Sequence, residues 1–196
     1  LGVRSGIVPG LWLDAFAGYA VIKSAAFFVP SDYLGEPYDF GNYHVAFQPD
    51  ATWMRIGAAL KYAYQRTADF SVKAVYNRGT FRKGEGNSWL SGAGMSNMKP
   101  YGCPAVEVNA DLSVRPITPL SLTLDYYLGA RRVTLFHGDN IKMSDLHDLN
   151  FTAAYNLNDM FGAYLKFTNI LSRGQDLWYG YPMQRFGFMG GVNINF

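Results

Sequence analysis

Three histidines, one cysteine and fifteen carboxylates are the residues of this chain that could do metal or acid–base chemistry. Two short stretches set imidazole beside carboxylate: His137-Gly138-Asp139 and Asp145-Leu146-His147-Asp148. Both groups ligate divalent metals, so the two stretches could share one ion within a single long loop. His44 lies far from either. The same residues serve equally as solvated loop groups, and no metal site is assigned. Glu107 and Asp111 stand four apart, which puts both on one face of a strand. Paired carboxylates can do general acid–base work, but charges along a polar wall are the plainer reading. Cys103 is the only cysteine and precedes Pro104. It reads as a loop thiol, and it cannot form an internal disulfide. No nucleophile–base–orienter set stands out, and no Gly-rich phosphate loop opens a helix. Asn150-Phe151-Thr152 matches a glycosylation sequon but sits inside a strand pattern, where the match is fortuitous. The expectation is a protein that is not an enzyme, with no cofactor.

Composition narrows the class. Only 16% of the 196 residues are charged while 16% are aromatic, at a mean hydropathy of -0.05. Average domains carry about 25% charged residues. Disorder is excluded, since disordered chains are poor in aromatics. A spanning helix is excluded too: the run Ala15 to Ile22 is cut by Asp14 and Lys23, far short of roughly 18 uncharged residues. The net charge of +2 gives no nucleic-acid-binding surface. No basic segment followed by an apolar stretch opens the chain, so no signal peptide is visible.

The elements that must position these side chains repeat with period two. Leu120, Leu122, Leu124, Tyr126, Leu128 and Ala130 alternate with Ser121, Thr123, Asp125, Tyr127, Gly129 and Arg131. Successive strand side chains point to opposite faces, so this is a strand with one apolar and one polar side. The pattern predicts eight strands, at 11–28, 44–65, 69–81, 104–115, 119–132, 147–157, 160–171 and 185–196. The first fits least: Phe16 and Ile22 fall on its polar face and Lys23 on its apolar one. A bulge near Gly18, or a Lys23 beyond the apolar band, would repair it. Ile7-Val8-Pro9-Gly10 reads as another tight turn and Leu1 to Ser5 as the tail of an earlier strand. Short turns near 65–69, 115–119 and 157–160 alternate with long Gly-, Pro- and Asn-rich connections near 29–43, 82–103, 133–146 and 172–184. All tight turns therefore fall at one end of an up-and-down sheet.

A soluble sandwich or lipocalin-like barrel would also alternate. Four features favour a transmembrane barrel. The strands are long. Their apolar faces carry no central charge except in the first strand, as a lipid face requires. Those faces end in aromatics such as Tyr62, Tyr64, Tyr76, Tyr126, Tyr155, Phe161, Phe167 and Phe186. Short turns on one side face long loops on the other. The expected fold is all-β, an antiparallel up-and-down transmembrane β-barrel of about eight strands, with residues 1–196 as one barrel segment and no second domain. Arg55, Lys61, Lys73, Glu107, Asp111, Asp125, Arg131, Asp148, Lys166 and Arg185 then line a lumen or face a plug.

The chain ends Gly191-Val192-Asn193-Ile194-Asn195-Phe196. A terminal aromatic after alternating apolar residues resembles the signal read by the outer-membrane assembly machinery, carried here by Gly191, Ile194 and Phe196. Met189 stands where that signal has a polar residue. The stretch Thr168-Asn169-Ile170-Leu171, then Leu177-Trp178-Tyr179-Gly180-Tyr181-Pro182, then Arg185-Phe186-Gly187-Phe188 and Phe196 resembles the last hairpin of TonB-dependent outer-membrane receptors. The hairpin Ala105 to Arg132 resembles those of the Bacteroidetes most. Met183-Gln184 replaces the Pro-Gly of that family.

The resemblance implies the C-terminal part of a larger receptor barrel in the bacterial outer membrane, importing a scarce ligand. It implies outer-membrane lipid and the barrel-assembly machinery as partners, and TonB only through a plug domain that this sequence lacks. It leaves the ligand unnamed. Loop aromatics Trp89, Tyr101, Trp178, Tyr179 and Tyr181 are the candidate ligand contacts, although they could instead stack on one another. The alternatives are a stand-alone eight-stranded outer-membrane protein with a structural, pore or adhesive role, and a soluble ligand-binding β-barrel.

Overall fold

The structure is a computed structural model that describes residues 1–30, 43–81, 100–136 and 139–194. Nine strands form one antiparallel sheet in the order β1 (Gly2–Val8), β2 (Leu11–Pro30), β3 (Tyr43–Tyr64), β4 (Ala68–Phe81), β5 (Val106–Ile117), β6 (Leu120–Ala130), β9 (Leu146–Asn156), β10 (Phe161–Thr168) and β13 (Gly187–Ile194). Two small hairpins stand apart from it: β7 (Val133–Phe136) with β8 (Asp139–Lys142), and β11 (Asp176–Trp178) with β12 (Tyr181–Pro182). Neighbours in the large sheet are neighbours in sequence, apart from the inserted hairpins. All eight expected strands are present. The tail before Gly10 is a ninth, β1, which turns into β2 at Pro9-Gly10. Gly10 has φ +84°, and a Cβ there would run into the backbone oxygen of Ala63, so only glycine fits that turn.

Register keeps the two faces separate over the whole sheet. One row of Cα partners runs Leu11, Tyr62, Phe70, Leu112, Leu124, Phe151, Phe167, Phe188, every member apolar. A one-residue slip would send a strand's apolar set to the wrong side. The β2–β3 register continues unbroken through Gly18↔Arg55, so the bulge expected near Gly18 is absent. Lys23 instead sits far along β2, beyond the apolar band. Phe16 belongs to the polar face because of a local fit. Its partner across the ladder is Gly57, and a Cβ on Gly57 would strike the Phe16 ring. The ring lies over the bare glycine, and Lys73 Nζ stands 5.5 Å from its centroid.

The same register sets the strand tilt. Below the apolar row the chain turns back within 9–10, 63–69, 113–123 and 152–166. The third and fourth are therefore each four residues longer than the one before, two per strand for every two strands crossed. A stagger of one residue per strand, with a rise of about 3.3 Å and a spacing of about 4.8 Å, tilts the strands by about 35°.

Burial shows which face is concave. Ala59 on the polar side is 7% exposed, whereas its neighbour Ala58 on the apolar side is exposed. Val75, Ala51 and Asn77, all on the polar side, are likewise buried, while Tyr19, Val192 and Phe188 on the other side stand more than 60% exposed. The sheet therefore curves around its polar face and presents its apolar face outward. A soluble barrel would put its apolar face inside. No helix among the described residues is long and apolar enough to cross a membrane.

Candidate functional site: the polar wall and the loop end

The concave wall is organised by charge. Near the turn end, Asp14 takes a two-pronged contact from Arg4 (Nε to Oδ1 2.6 Å, Nη2 to Oδ2 3.1 Å), with Lys61 Nζ 3.7 Å away. β3 and β4 add Arg55 and Lys73 to the same face. On β5, β6 and β9 that face turns acidic. Glu107 accepts a hydrogen bond from Asn77 Nδ2, Asp111 accepts one from Ser71 Oγ at 2.8 Å, and Asp148 accepts one from Asn150 Nδ2 at 3.1 Å. Asp125 stands opposite Asp111 in the ladder. Glu107 and Asp111 are thus wall groups held by neutral donors. Among the described residues, no group of three or more His, Cys, Asp or Glu side chains converges as metal ligands. His137 lies outside the described residues.

At the long-loop end, three side chains hold the connections down. Arg132, 1% exposed, donates to the carbonyls of Ser144 (3.4 Å), Asp176 (2.7 Å) and Leu177. Burial pushes its pKa below the usual guanidinium value, opposed by Tyr127, Asp176 and Asp145. Gln175, 3% exposed, uses its amide as a substitute strand: Oε1 accepts from His147 N at 2.8 Å and Nε2 donates to His147 O at 2.7 Å. Asn169, 4% exposed with φ +48°, donates from its backbone N to Asn150 Oδ1 (3.0 Å) and from Nδ2 to Gln184 O. Buried polar groups are ordinarily so paired; Arg132 Nε and Asn169 Oδ1 are buried without a hydrogen-bond partner among the described residues. Together these tethers fix β11–β12 against β7–β8 and the upper end of β9. None is recognisable from sequence, because Arg, Gln and Asn in a loop ordinarily face water; the Asn169 that opens the family-like stretch is the one sequence cue.

The candidate contacts divide. Tyr101 is 3% exposed and so is buried in this structure. Trp178 is 38% exposed and lies against Gly102, where a Cβ would meet its ring 2.7 Å away. Tyr181 is 47% exposed and Tyr179 half-buried, both beside Trp178 on the β11–β12 hairpin. Trp89 lies outside the described residues. Of the terminal signal, Gly191 faces the Tyr164 ring across the ladder, Ile194 pairs with Phe161, and Phe196 lies outside the described residues. Cys103 sits in the turn before β5; burial first, and Glu107 second, push its thiol pKa up, against Arg132. A thiol so placed is a poor nucleophile.

No protein-family model matches the chain, and no curated protein does. Solved structures do. The copper transporter OprC superposes at TM-score 0.68 and 13% identity. The ferric-catecholate import receptor Fiu from K12 E. coli does so at 0.69 and 12%, and the pyoverdine receptor FpvA from Pseudomonas aeruginosa PAO1 at 0.70 and 11%. Each match covers 100% of this chain and 27–30% of the other. The fold is that of a TonB-dependent receptor barrel. The resemblance read from the last hairpin holds at the level of fold, and this chain spans under a third of the length of the receptors it matches.

Proposed function

We propose that residues 1–196 form one segment of an outer-membrane transport barrel, the C-terminal part of a TonB-dependent receptor that imports a scarce ligand. The observation that carries this reading is the height of the outward apolar band. With a tilt of about 35°, each residue climbs about 2.7 Å. On the convex face, Tyr64 and Phe161 lie two residues from their turns, and Tyr19 and Tyr76 nine or ten. The band between these aromatic levels is about 19–22 Å high, close to the ~25 Å apolar belt of outer-membrane barrels.

β1 and β13 are the two edges of the sheet. A sheet in lipid must close, so further strands of the same protein would join them. This favours a segment of a larger barrel over a free-standing eight-stranded one. The acidic and basic halves of the concave wall would face a plug. Trp178, Tyr179 and Tyr181, on a tethered hairpin at the long-loop end, would contact ligand. The superposed proteins are named for copper and for ferric chelates, and a metal-bearing ligand is the class we extend to this chain. Gly191, Ile194 and Phe196 would guide assembly into the membrane. No enzymatic step enters this account.

The coding sequence upstream of Leu1, with uptake by a deletion strain, tests the reading. Further hairpins and a plug domain are expected, with loss of energised uptake of one ferric chelate or of copper. A secretion signal directly before Leu1, with all uptake intact, would overturn it.

A further inference from the structure

We propose that Arg78 and Lys23, joined by His147, form a cationic collar on the convex face that binds the phosphate-bearing headgroups of the outer leaflet. The inference rests on the membrane-spanning reading above and adds a lipid site to it. Three different hairpins contribute. Arg78 lies 12 residues along β4 from Arg66 in its turn, Lys23 lies 13 along β2 from Gly10, and His147 lies 12 along β9 from Asp159. These residues do not share a ladder row. The one-residue stagger brings them to a common height, about 32–35 Å above the turns at a rise of about 2.7 Å per residue.

Below that height the described outward side chains of the nine strands carry no charge; the first ones met are cationic, with an imidazole among them. Arg78 and Lys23 are exposed, and Arg78 shares its row with Met54 and Tyr19, just above Tyr76. No ion pair joins Arg78 among the described residues. His147 Nδ1 is engaged by the Tyr126 hydroxyl at 2.9 Å, which leaves Nε2 as its remaining polar atom.

On the concave face, Lys61 meets Asp14 at 3.7 Å and Lys73 lies over Phe16. Cations on the outward face, level with the headgroups and above an aromatic belt, complement a layer of phosphates. A guanidinium fork fits phosphate oxygens with two parallel bonds.

The test uses the full natural protein in nanodiscs of equal phosphatidylglycerol and phosphatidylcholine, with native mass spectrometry counting retained phosphatidylglycerol. Each basic group near an anionic surface strengthens binding by about fivefold. Retention should therefore fall about fivefold in Arg78→Gln and about 25-fold in Arg78→Gln/Lys23→Gln, fall by a smaller step in Arg78→Lys, which keeps the charge and loses the fork, and stay unchanged in the concave Arg55→Gln. Wild-type retention in the double variant, or an equal loss in Arg55→Gln, overturns the collar while leaving the barrel intact. Failure of the wild-type protein to enter nanodiscs at all overturns the membrane reading and the collar with it.

Discussion

An arginine moved up one strand should register the depth of the bilayer. Leu124 and Ala130 both lie on the convex face of β6, six residues apart. Leu124 stands in the all-apolar row, about six residues above its turn, and Ala130 about twelve. At about 2.7 Å per residue the two positions differ by about 16 Å in height. That places Leu124 near the middle of the apolar band and Ala130 at its upper rim. A lipid-facing Arg costs about 2–4 kcal/mol at the midplane and about 0–1 near an interface. Leu124→Arg should therefore destabilise the barrel by about 2–4 kcal/mol, and Ala130→Arg by no more than about 1. Thr123→Arg, one residue away on the concave face, should also cost no more than about 1 kcal/mol, since it meets the polar wall. Reversible guanidinium unfolding of the full protein in lipid vesicles measures all three. Equal losses for Leu124→Arg and Ala130→Arg would refute the depth argument, and a larger loss for Thr123→Arg would invert the assignment of faces.

Other consequences follow from the loop end and the ladder. Arg132→Met removes a buried donor to three carbonyls and should cost about 1–3 kcal/mol, with faster amide exchange across 175–182 but not across Leu120–Ala130. Gly191→Val drives a side chain into the Tyr164 ring and should destabilise by about 1–3 kcal/mol; refolding yield and midpoint denaturant concentration report it. Because the Cys103 thiol pKa is raised, less thiolate exists at any given pH, so maleimide labelling between pH 7 and 9 should run slower than for a free cysteine and still be rising at pH 9.

Much of this was readable before any coordinates. Period-two alternation depends only on side chains pointing to opposite faces, so β3 to β6, β9 and β10 emerge within a few residues of their bounds. The tight turns emerged for the same reason. Phe16 misled because its place is set by Gly57 on the next strand, a contact 41 residues away in sequence. The hairpins β7–β8 and β11–β12 are too short for a period to show, and their hold comes from Arg132, Gln175 and Asn169 reaching backbone carbonyls and amides of distant segments. Tyr101 falls among the loop aromatics for the same reason: nothing in its sequence neighbours signals that it is 3% exposed.

The central claim is that the apolar face looks out into lipid and the polar face into the barrel. A spin label walked through Leu120–Ala130 of the full protein in vesicles, with Cys103 replaced by Ser, tests it most directly. Oxygen collisions should peak at every even-numbered position, from Leu120 to Ala130, and a water-soluble nickel chelate should favour the odd ones. Oxygen peaks at the odd positions, or no period of two at all, would contradict it.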